Sequence, residues 1–269
     1  MKRFHFIPCL AISLCLLFAV TGECAQIDTG EKYTPQIGQA GKVVIWQPTI
    51  QELVDTMLKM AKVTSSDYLI DLGSGDGRTV ITAAKLGATA LGFEYNPDLV
   101  ELARSAADEA GVSERATFKK ADIFESDFSK ATVLTIFLLQ DINLKLRPKI
   151  LDMKPGTRIV SNTFDMEAWE PDQTIRLDAF SNWNTAHLWI VPAKVNGSWK
   201  LDGGQIRFTQ EFQNVSGTLT LKKKKMPLTG KLDGDKISFS AGGTEYTGTV
   251  RGNTISGTRA GGGSWKATR

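Results

Sequence analysis

The chain has 269 residues, 42% of them hydrophobic and 23% charged, which excludes a disordered or fibrous protein and leaves ample material for an apolar core. A formal net charge of +3 is too small to indicate a nucleic-acid partner, and we expect none. All three cysteines lie within the first 24 residues, so we expect no disulfide, no cysteine catalysis and no metal site further along the chain.

The first residues have the pattern of an export signal. Lys2 and Arg3 precede an apolar run over residues 6–20, and this run is shorter than the roughly 20 residues that a membrane-spanning helix needs. We therefore predict a signal peptide within residues 1–25 and an exported protein, periplasmic or secreted. A retained membrane anchor through residues 6–20 is the alternative.

A polar lead-in segment over residues 26–46 precedes an α/β region at 47–194. Pro48 and Thr49 suit the start of a helix, because proline costs no hydrogen bond there and threonine can cap. Strand and helix patterns then alternate, which predicts a Rossmann-like, doubly wound and mostly parallel sheet. The expected strands are 68–72, 89–94, 116–119, 132–139, 158–164, 174–180 and 187–191, and the expected helices are 77–85, 97–110 and 143–153. No helix separates the last two strands, so we expect them to form an antiparallel hairpin at one edge.

The pattern changes at residues 196–269, where twelve Lys and Arg residues stand against five Asp and Glu. Short alternating runs separated by glycine and aspartate predict a small antiparallel β domain, either a meander or a barrel. If the sheet closes, Trp199 and Trp265 are expected to meet.

The strongest motif is the glycine-rich loop Asp71–Arg78, which follows the first strand and opens a helix. Its glycines allow a tight turn and a close approach of a ligand to the backbone. Glu94 ends the next strand, about twenty residues on, where a carboxylate can accept both hydroxyls of a ribose. Asp122 ends the third strand. Because Asp71 and Asp76 would repel a pyrophosphate, these carboxylates favour cationic S-adenosyl-L-methionine over a dinucleotide.

At this point a resemblance becomes visible. Asp71–Arg78, Gly92–Pro97 and Ala121-Asp122 resemble the class I methyltransferases. More narrowly, the chain is similar over residues 43–192 to a small family of protein-lysine methyltransferases whose eukaryotic members modify the c subunit of mitochondrial ATP synthase. The narrower similarity is carried by residues 47–49, 71–78, 137–140, 146–149 and 155–161, with Phe164 and Trp169.

The resemblance implies a binding site for S-adenosyl-L-methionine and a protein lysine as methyl acceptor. Residues 137–140 would lie at the acceptor, and Gln140 and Asp141 are the candidate bases, although both could simply cap the following helix. The implied cofactor residues are Asp71, Gly73, Gly75 and Gly77 for the methionine and ribose side, Glu94 for the ribose hydroxyls, Asp122 and Ile123 for the adenine, and Pro48 and Thr49 for closing the site.

Two other features have competing interpretations. His187 lies in an apolar strand and is interpreted as a packed strand residue. Lys222, Lys223, Lys224 and Lys225 fit either a weak contact with an anionic surface or a solvated edge strand, in which alternate lysines would face opposite sides. The alternative function is an exported binding protein that uses a non-catalytic methyltransferase-like fold as a scaffold.

Overall fold

The computed structural model describes residues 33–41, 45–179 and 182–269. The expected export signal or anchor and the start of the lead-in segment lie outside these residues. Among the described residues, no helix is long and apolar enough to cross a membrane. The first eleven elements are α1 (Gln51–Met60), β1 (Tyr68–Leu72), α2 (Arg78–Lys85), β2 (Thr89–Glu94), α3 (Pro97–Glu109), β3 (Ala116–Lys120), β4 (Val133–Ile136), α4 (Gln140–Leu151), β5 (Arg158–Asn162), β6 (Gln173–Arg176) and β7 (Thr185–Ile190).

These strands form one seven-stranded sheet in the order β3-β2-β1-β4-β5-β7-β6. Strands β1 to β5 run parallel, and β7 pairs antiparallel with both β5 and β6. The expected Rossmann-like sheet and its antiparallel edge hairpin are both confirmed. Because β1 and β4 are central neighbours that continue into loops at the same edge, residues 71–77 and 137–140 are brought side by side.

Three expected element boundaries near that edge were wrong by at least three residues. Strand β4 ends at Ile136 instead of residue 139, and α4 begins at Gln140 instead of residue 143. The chain leaves the sheet at Phe137 and turns, so Leu139 takes the cap position, while Gln140 and Asp141 lie inside the first helical turn. Strand β6 is also shorter than the expected 174–180, since it ends at Arg176.

A buried ion pair ties together the opposite edge of the sheet. Asp67, only 7% exposed, accepts hydrogen bonds from the guanidinium of Arg158 and, at 2.8 Å each, from the Thr132 hydroxyl and the Thr64 N–H. Burial by itself raises the pKa of the Asp67 carboxyl, but these hydrogen bonds and the charge of Arg158 outweigh it, so the pKa lies below its ordinary 3.8. Arg158 also donates to the Ala61 carbonyl at 2.7 Å. The pair therefore joins β1, β5 and the end of α1.

Residues 197–268 form a closed eight-stranded antiparallel barrel, so the expectation of a small β domain is confirmed. Trp199 and Trp265 both lie in its core, and the strands that carry them pair to close it, with Ala267 opposite Leu201. The strands are β8 (Gly197–Leu201), β9 (Gly204–Glu211), β10 (Asn214–Leu221), β11 (Lys224–Asp233), β12 (Lys236–Ala241), β13 (Thr244–Arg251), β14 (Thr254–Arg259) and β15 (Ser264–Thr268).

The barrel packs directly against the α/β region, and Thr34–Arg269 is one compact unit. Phe212, in the turn between β9 and β10, stacks on Trp169 with ring centroids 6.0 Å apart. The next residue, Gln213, donates from its side-chain amide to the Glu170 carbonyl at 2.9 Å. One end of the barrel thus supports the segment between β5 and β6.

Only half of the lysine run lies in a strand, as expected for all of it: Lys224 and Lys225 begin β11. Lys222 and Lys223 form a two-residue turn between β10 and β11, with Leu221 paired to Lys224 across the hairpin. Both turn residues have left-handed backbones, with φ of 46° and 69°. A two-residue hairpin demands this conformation because it matches the twist of the flanking strands. All four lysines are exposed at the hairpin tip.

Replacing the turn by its preferred residues is expected to stabilise the protein. A lysine backbone is strained in the left-handed region, whereas asparagine and glycine adopt it more readily. The double variant Lys222→Asn/Lys223→Gly should therefore raise the free energy of unfolding by about 1–2 kcal/mol. Urea unfolding checks this. Lys224→Asn/Lys225→Asn removes the same charge outside the turn and should give no gain; equal gains in both variants would assign the effect to charge instead of backbone strain.

Candidate functional site

A cleft in two parts lies at the edge where β1, β2 and β4 end. The first part is lined by Gly73, Glu94, Asp122 and Ile123. The second is lined by Pro48, Thr49, Asp71, Gly73 and Gly75. Trp46, Gly73 and Phe137 belong to both parts and mark their junction.

Gly77 has a packing function in this arrangement. It is the cap residue of α2 with φ of 82°, and a Cβ there would lie 2.7 Å from the Phe118 ring and 2.8 Å from Ala103. Its missing side chain therefore lets α2 approach β3 and α3. The other eight residues expected to bind the cofactor line the cleft itself.

The side chain of Glu94 shapes the glycine-rich loop. One carboxylate oxygen accepts from the Gly75 N–H at 2.9 Å, and the other accepts from the N–H groups of Tyr95 and Asn96 at 2.8 and 2.9 Å. The same carboxylate lines the first part of the cleft. It is thus held in place before any ligand arrives.

Asp71 is the most perturbed group of the site. It is 6% exposed and accepts a 2.6 Å hydrogen bond from the Thr135 hydroxyl. Burial raises the pKa of its carboxyl to about 7; the Thr135 bond opposes this increase, and the negative charges of Glu94 and Asp76 add to it. A cationic ligand would relieve that repulsion.

The charge of these carboxyl groups shows whether the cleft suits S-adenosylmethionine. Asp71, Asp76 and Glu94 surround it, and Asp76 is held by the guanidinium of Arg78 at 2.5–3.1 Å. The ligand carries an ammonium and a sulfonium, so an acidic cleft matches its charge, whereas a pyrophosphate would be repelled. The residues present fit the methyl donor.

Two residues that the sequence analysis missed position Thr49. The Asn162 amide donates to the Thr49 hydroxyl at 3.1 Å, and Arg78 donates to its carbonyl at 2.8 Å. Arg78 was visible as the last residue of the glycine-rich motif. No sequence pattern around Asn162 indicated a role in the site, because its contact with Thr49 depends on β5 lying under the start of α1.

The end of the lead-in segment covers the cleft. Gly38 and Trp46 are joined by a 2.9 Å bond from the Gly38 N–H to the Trp46 carbonyl. The Trp46 indole lies over the glycine-rich loop, where a Cβ on Gly75 would come within 2.8 Å of Nε1. Residues 39–41 and 45–46, expected to be a solvated lead-in, instead form one wall of the site.

On the acceptor side, the two candidate bases have other contacts. Gln140 donates to the Asp165 carboxylate at 2.9 Å, so it holds a carboxylate that the sequence analysis did not single out. Asp141 is 66% exposed and pairs with Lys145 at 3.6 Å. His187 is bonded through Nδ1 to the Thr174 hydroxyl at 3.0 Å, and burial lowers its pKa.

Truncating Glu94 is expected to weaken cofactor binding. Glu94→Ala removes the acceptor for a ligand's hydroxyls and frees the Gly75 N–H, so the dissociation constant for S-adenosylmethionine should rise about 5- to 150-fold, equivalent to about 1–3 kcal/mol. Titration calorimetry measures this. Glu101→Ala, at a 70% exposed position on α3, is the control and should bind as the wild type does. Unchanged affinity in Glu94→Ala would place the ribose elsewhere.

Comparisons with known proteins agree with this geometry. Residues 71–173 match the family model described as the ANTKMT methyltransferase domain. A protein-lysine N-methyltransferase of Saccharolobus islandicus is 40% identical over 151 residues, which cover 55% of this chain and 94% of that protein. The Mus musculus lysine N-methyltransferase named for the c subunit of ATP synthase is 35% identical over 128 residues, but the match spans only about half of that protein's length, 51%.

One solved structure is similar over the same share of the chain. It is an RNA methyltransferase from Salinibacter ruber in complex with S-adenosyl-L-homocysteine, 46% identical with a TM-score of 0.53, covering 55% of this chain and 96% of that one. The sheet order and the acidic cleft are those of a class I, S-adenosylmethionine-dependent methyltransferase. Within that class, the chain belongs to the same family as the protein-lysine N-methyltransferase of Saccharolobus islandicus.

Proposed function

We propose that this protein transfers a methyl group from S-adenosylmethionine to the side-chain amine of a lysine in another protein. The single observation that carries the proposal is the acidic cleft, whose two parts meet at Phe137, the first residue of the acceptor segment. The relatives from Saccharolobus islandicus and Mus musculus are both named as lysine methyltransferases, which supports the choice of acceptor. A non-catalytic scaffold is not favoured, since the relatives that the chain matches are named as methyltransferases.

Methyl transfer depends mainly on the alignment of the methyl donor with the acceptor nitrogen. When bound, S-adenosylmethionine would supply an electrophilic methyl carbon, and the acceptor nitrogen would have to approach it in line with the carbon–sulfur bond that breaks, leaving S-adenosylhomocysteine. The acceptor lysine would lose its proton to solvent before it enters the cleft. Asp71 and Glu94 would hold the donor from one side, and Trp46, which lines both parts of the cleft, would exclude water.

The test is transfer of label from S-adenosylmethionine. Purified full-length protein is incubated with tritiated cofactor and a whole-cell lysate, and the labelled product is digested with protease or with ribonuclease. We expect the label to resist ribonuclease, and mass spectrometry to place it on methylated lysine. The Asp71→Asn variant is the matched control and should transfer none. Label confined to RNA, or no label at all, would contradict the proposal.

We also propose that the lysine tip, Lys222 to Lys225, makes a weak contact with an anionic surface. The tip lies at the end of β10 opposite the turn that contacts Trp169, so it faces away from the α/β region. Each lysine near an anionic membrane contributes about 1 kcal/mol, and salt weakens the attraction within a Debye length of about 8–10 Å.

Vesicle co-sedimentation tests the lysine tip. The full chain should bind anionic vesicles at low salt, release them at moderate salt and leave neutral vesicles unbound. Lys222→Asn/Lys223→Gly, which halves the charge of the tip, should bind more weakly. Equal binding to both vesicle types, or none to either, would leave the lysines as a solvated turn.

A further inference from the structure

Three aromatic side chains form a cluster beside the junction of the cleft. Phe137, the first residue after β4, lies 6.3 Å from Phe164 and 5.9 Å from Trp183, and the latter two rings are 5.5 Å apart. They come from three separate loops, and each is partly exposed. Leu139, which follows Phe137 by two residues, is 44% exposed. The cluster thus extends the cleft outward as an apolar, aromatic surface.

The loops that carry the cluster have a uniform charge. Segments 137–141, 163–172 and 177–184 contain six aspartates and glutamates and no lysine or arginine. Two of these acids are paired with cations from elsewhere, Asp172 with Lys231 at 3.1 Å and Asp141 with Lys145 at 3.6 Å. Glu170 lies at the other end of its loop, where its carbonyl accepts from Gln213 of the barrel. The remaining three, which we call the acidic rim, are Asp165, Glu167 and Asp178.

We propose that the aromatic cluster binds the side chain of the acceptor lysine, and that the acidic rim selects lysines flanked by positive charges. This inference rests on the proposed lysine methyltransferase function and deepens it. A lysine stem packs on apolar rings while its cationic head is attracted to their faces. Phe137 touches both the cleft and the cluster, so a lysine lying on the rings ends at the junction of the two parts.

The charge of the rim also discriminates between acceptor classes. Nucleic-acid binding depends on cations that neutralise phosphates, and the three loops supply none. A cationic polypeptide gains from the same charges. The chemistry of this surface therefore fits a lysine in a basic segment of a protein.

The aromatic part is tested with Phe164→Leu and Trp183→Leu, which keep an apolar side chain and remove the π face. With a short synthetic peptide carrying one lysine between arginines, the KM for the peptide should rise about tenfold in each variant. The dissociation constant for S-adenosylmethionine should not change, which shows that the fold and the cleft are intact. Trp183→Phe should restore most of the loss. Phe137 is left unaltered because it also lines the cofactor cleft.

The rim is tested by exchanging the peptide flanks. The wild type should prefer arginine flanks over glutamate flanks by about tenfold in kcat/KM, and Glu167→Gln/Asp178→Asn should reduce that ratio to about twofold. Asp202→Asn/Glu245→Gln removes the same charge from exposed positions of the barrel and should leave the ratio unchanged. If neither peptide accepts label, the ratio is measured from their competition with labelling of lysate protein.

Each result has one meaning. Lysine methylation with an unchanged KM in both leucine variants, or an unchanged flank ratio in the rim variant, would overturn this inference and leave the proposed function standing. Failure of the wild type to label any lysine would instead overturn the proposed function.

Discussion

Asp71→Asn is expected to make the protein more stable at pH 8 and to weaken cofactor binding strongly. The folded pKa of about 7 lies above the ordinary 3.8, a difference equivalent to about 4 kcal/mol. Wild-type stability is therefore full below pH 4 and declines as the pH rises towards 7, because the unfolded chain ionises first. The asparagine avoids that decline, and we expect a gain of about 2–4 kcal/mol at pH 8 after the cost of placing its amide.

The same substitution removes the charge that a cationic ligand needs. Affinity for S-adenosylmethionine should fall roughly 100-fold or more. In the wild type, affinity should rise between pH 6 and 8 as Asp71 ionises, and this pH dependence should vanish in the variant. Urea unfolding and calorimetry across this pH range measure both effects. Equal stability of the two proteins at pH 8 would show that burial does not perturb Asp71.

Arg158→Met is expected to cause the largest loss of stability. It leaves Asp67 buried without its cation, a change that typically costs 3–5 kcal/mol, which we expect at pH 7. The penalty should shrink towards pH 4, because the unpaired carboxyl can then take up a proton. In the wild type the opposite holds: its lowered pKa means that stability is lost as the pH falls below 3.8.

An exposed pair provides the control for this effect. Lys194 and Asp152 form a salt bridge in which both side chains are mostly exposed, 65% and 71%. Lys194→Met should change the free energy of unfolding by less than about 1 kcal/mol. Urea unfolding at pH 7 and pH 4 compares the two variants. A loss in Arg158→Met no larger than in Lys194→Met would show that Asp67 is adequately solvated.

The cofactor side of the site could be predicted from sequence because parallel strands deliver their ends to one edge. Asp71, Glu94 and Asp122 each lie within two residues of the end of a strand with a clear pattern, so their convergence followed from the topology alone. The cover over the cleft could not be predicted in this way. Trp46 belongs to a polar segment without periodicity, and only its packing over Gly75 places it in the site.

The acceptor side was hidden for a similar reason. Phe137, Phe164 and Trp183 are 19 to 46 residues apart and lie in three irregular loops, and their contact depends on the pairing of β7 beside β5. The prediction of a strand at Lys222 and Lys223 failed for a different reason. Lysine has no preference for a left-handed backbone, so nothing local marked Lys222 and Lys223 as a turn; the closure of the barrel imposes it.

The segment that joins the sheet to the barrel has a consequence for how the chain can be divided. Val191, Ala193 and Val195 are almost completely buried, and the Gln210 side chain bonds to the backbone of Ala193 and Val195 at 2.9 and 2.7 Å. We therefore expect limited proteolysis not to cleave the chain at this segment. A shortened chain ending near residue 195 would expose Trp169 to water and would therefore tend to self-associate in solution. A loss of turnover in such a fragment would reflect its aggregation and would not show that the barrel takes part in catalysis.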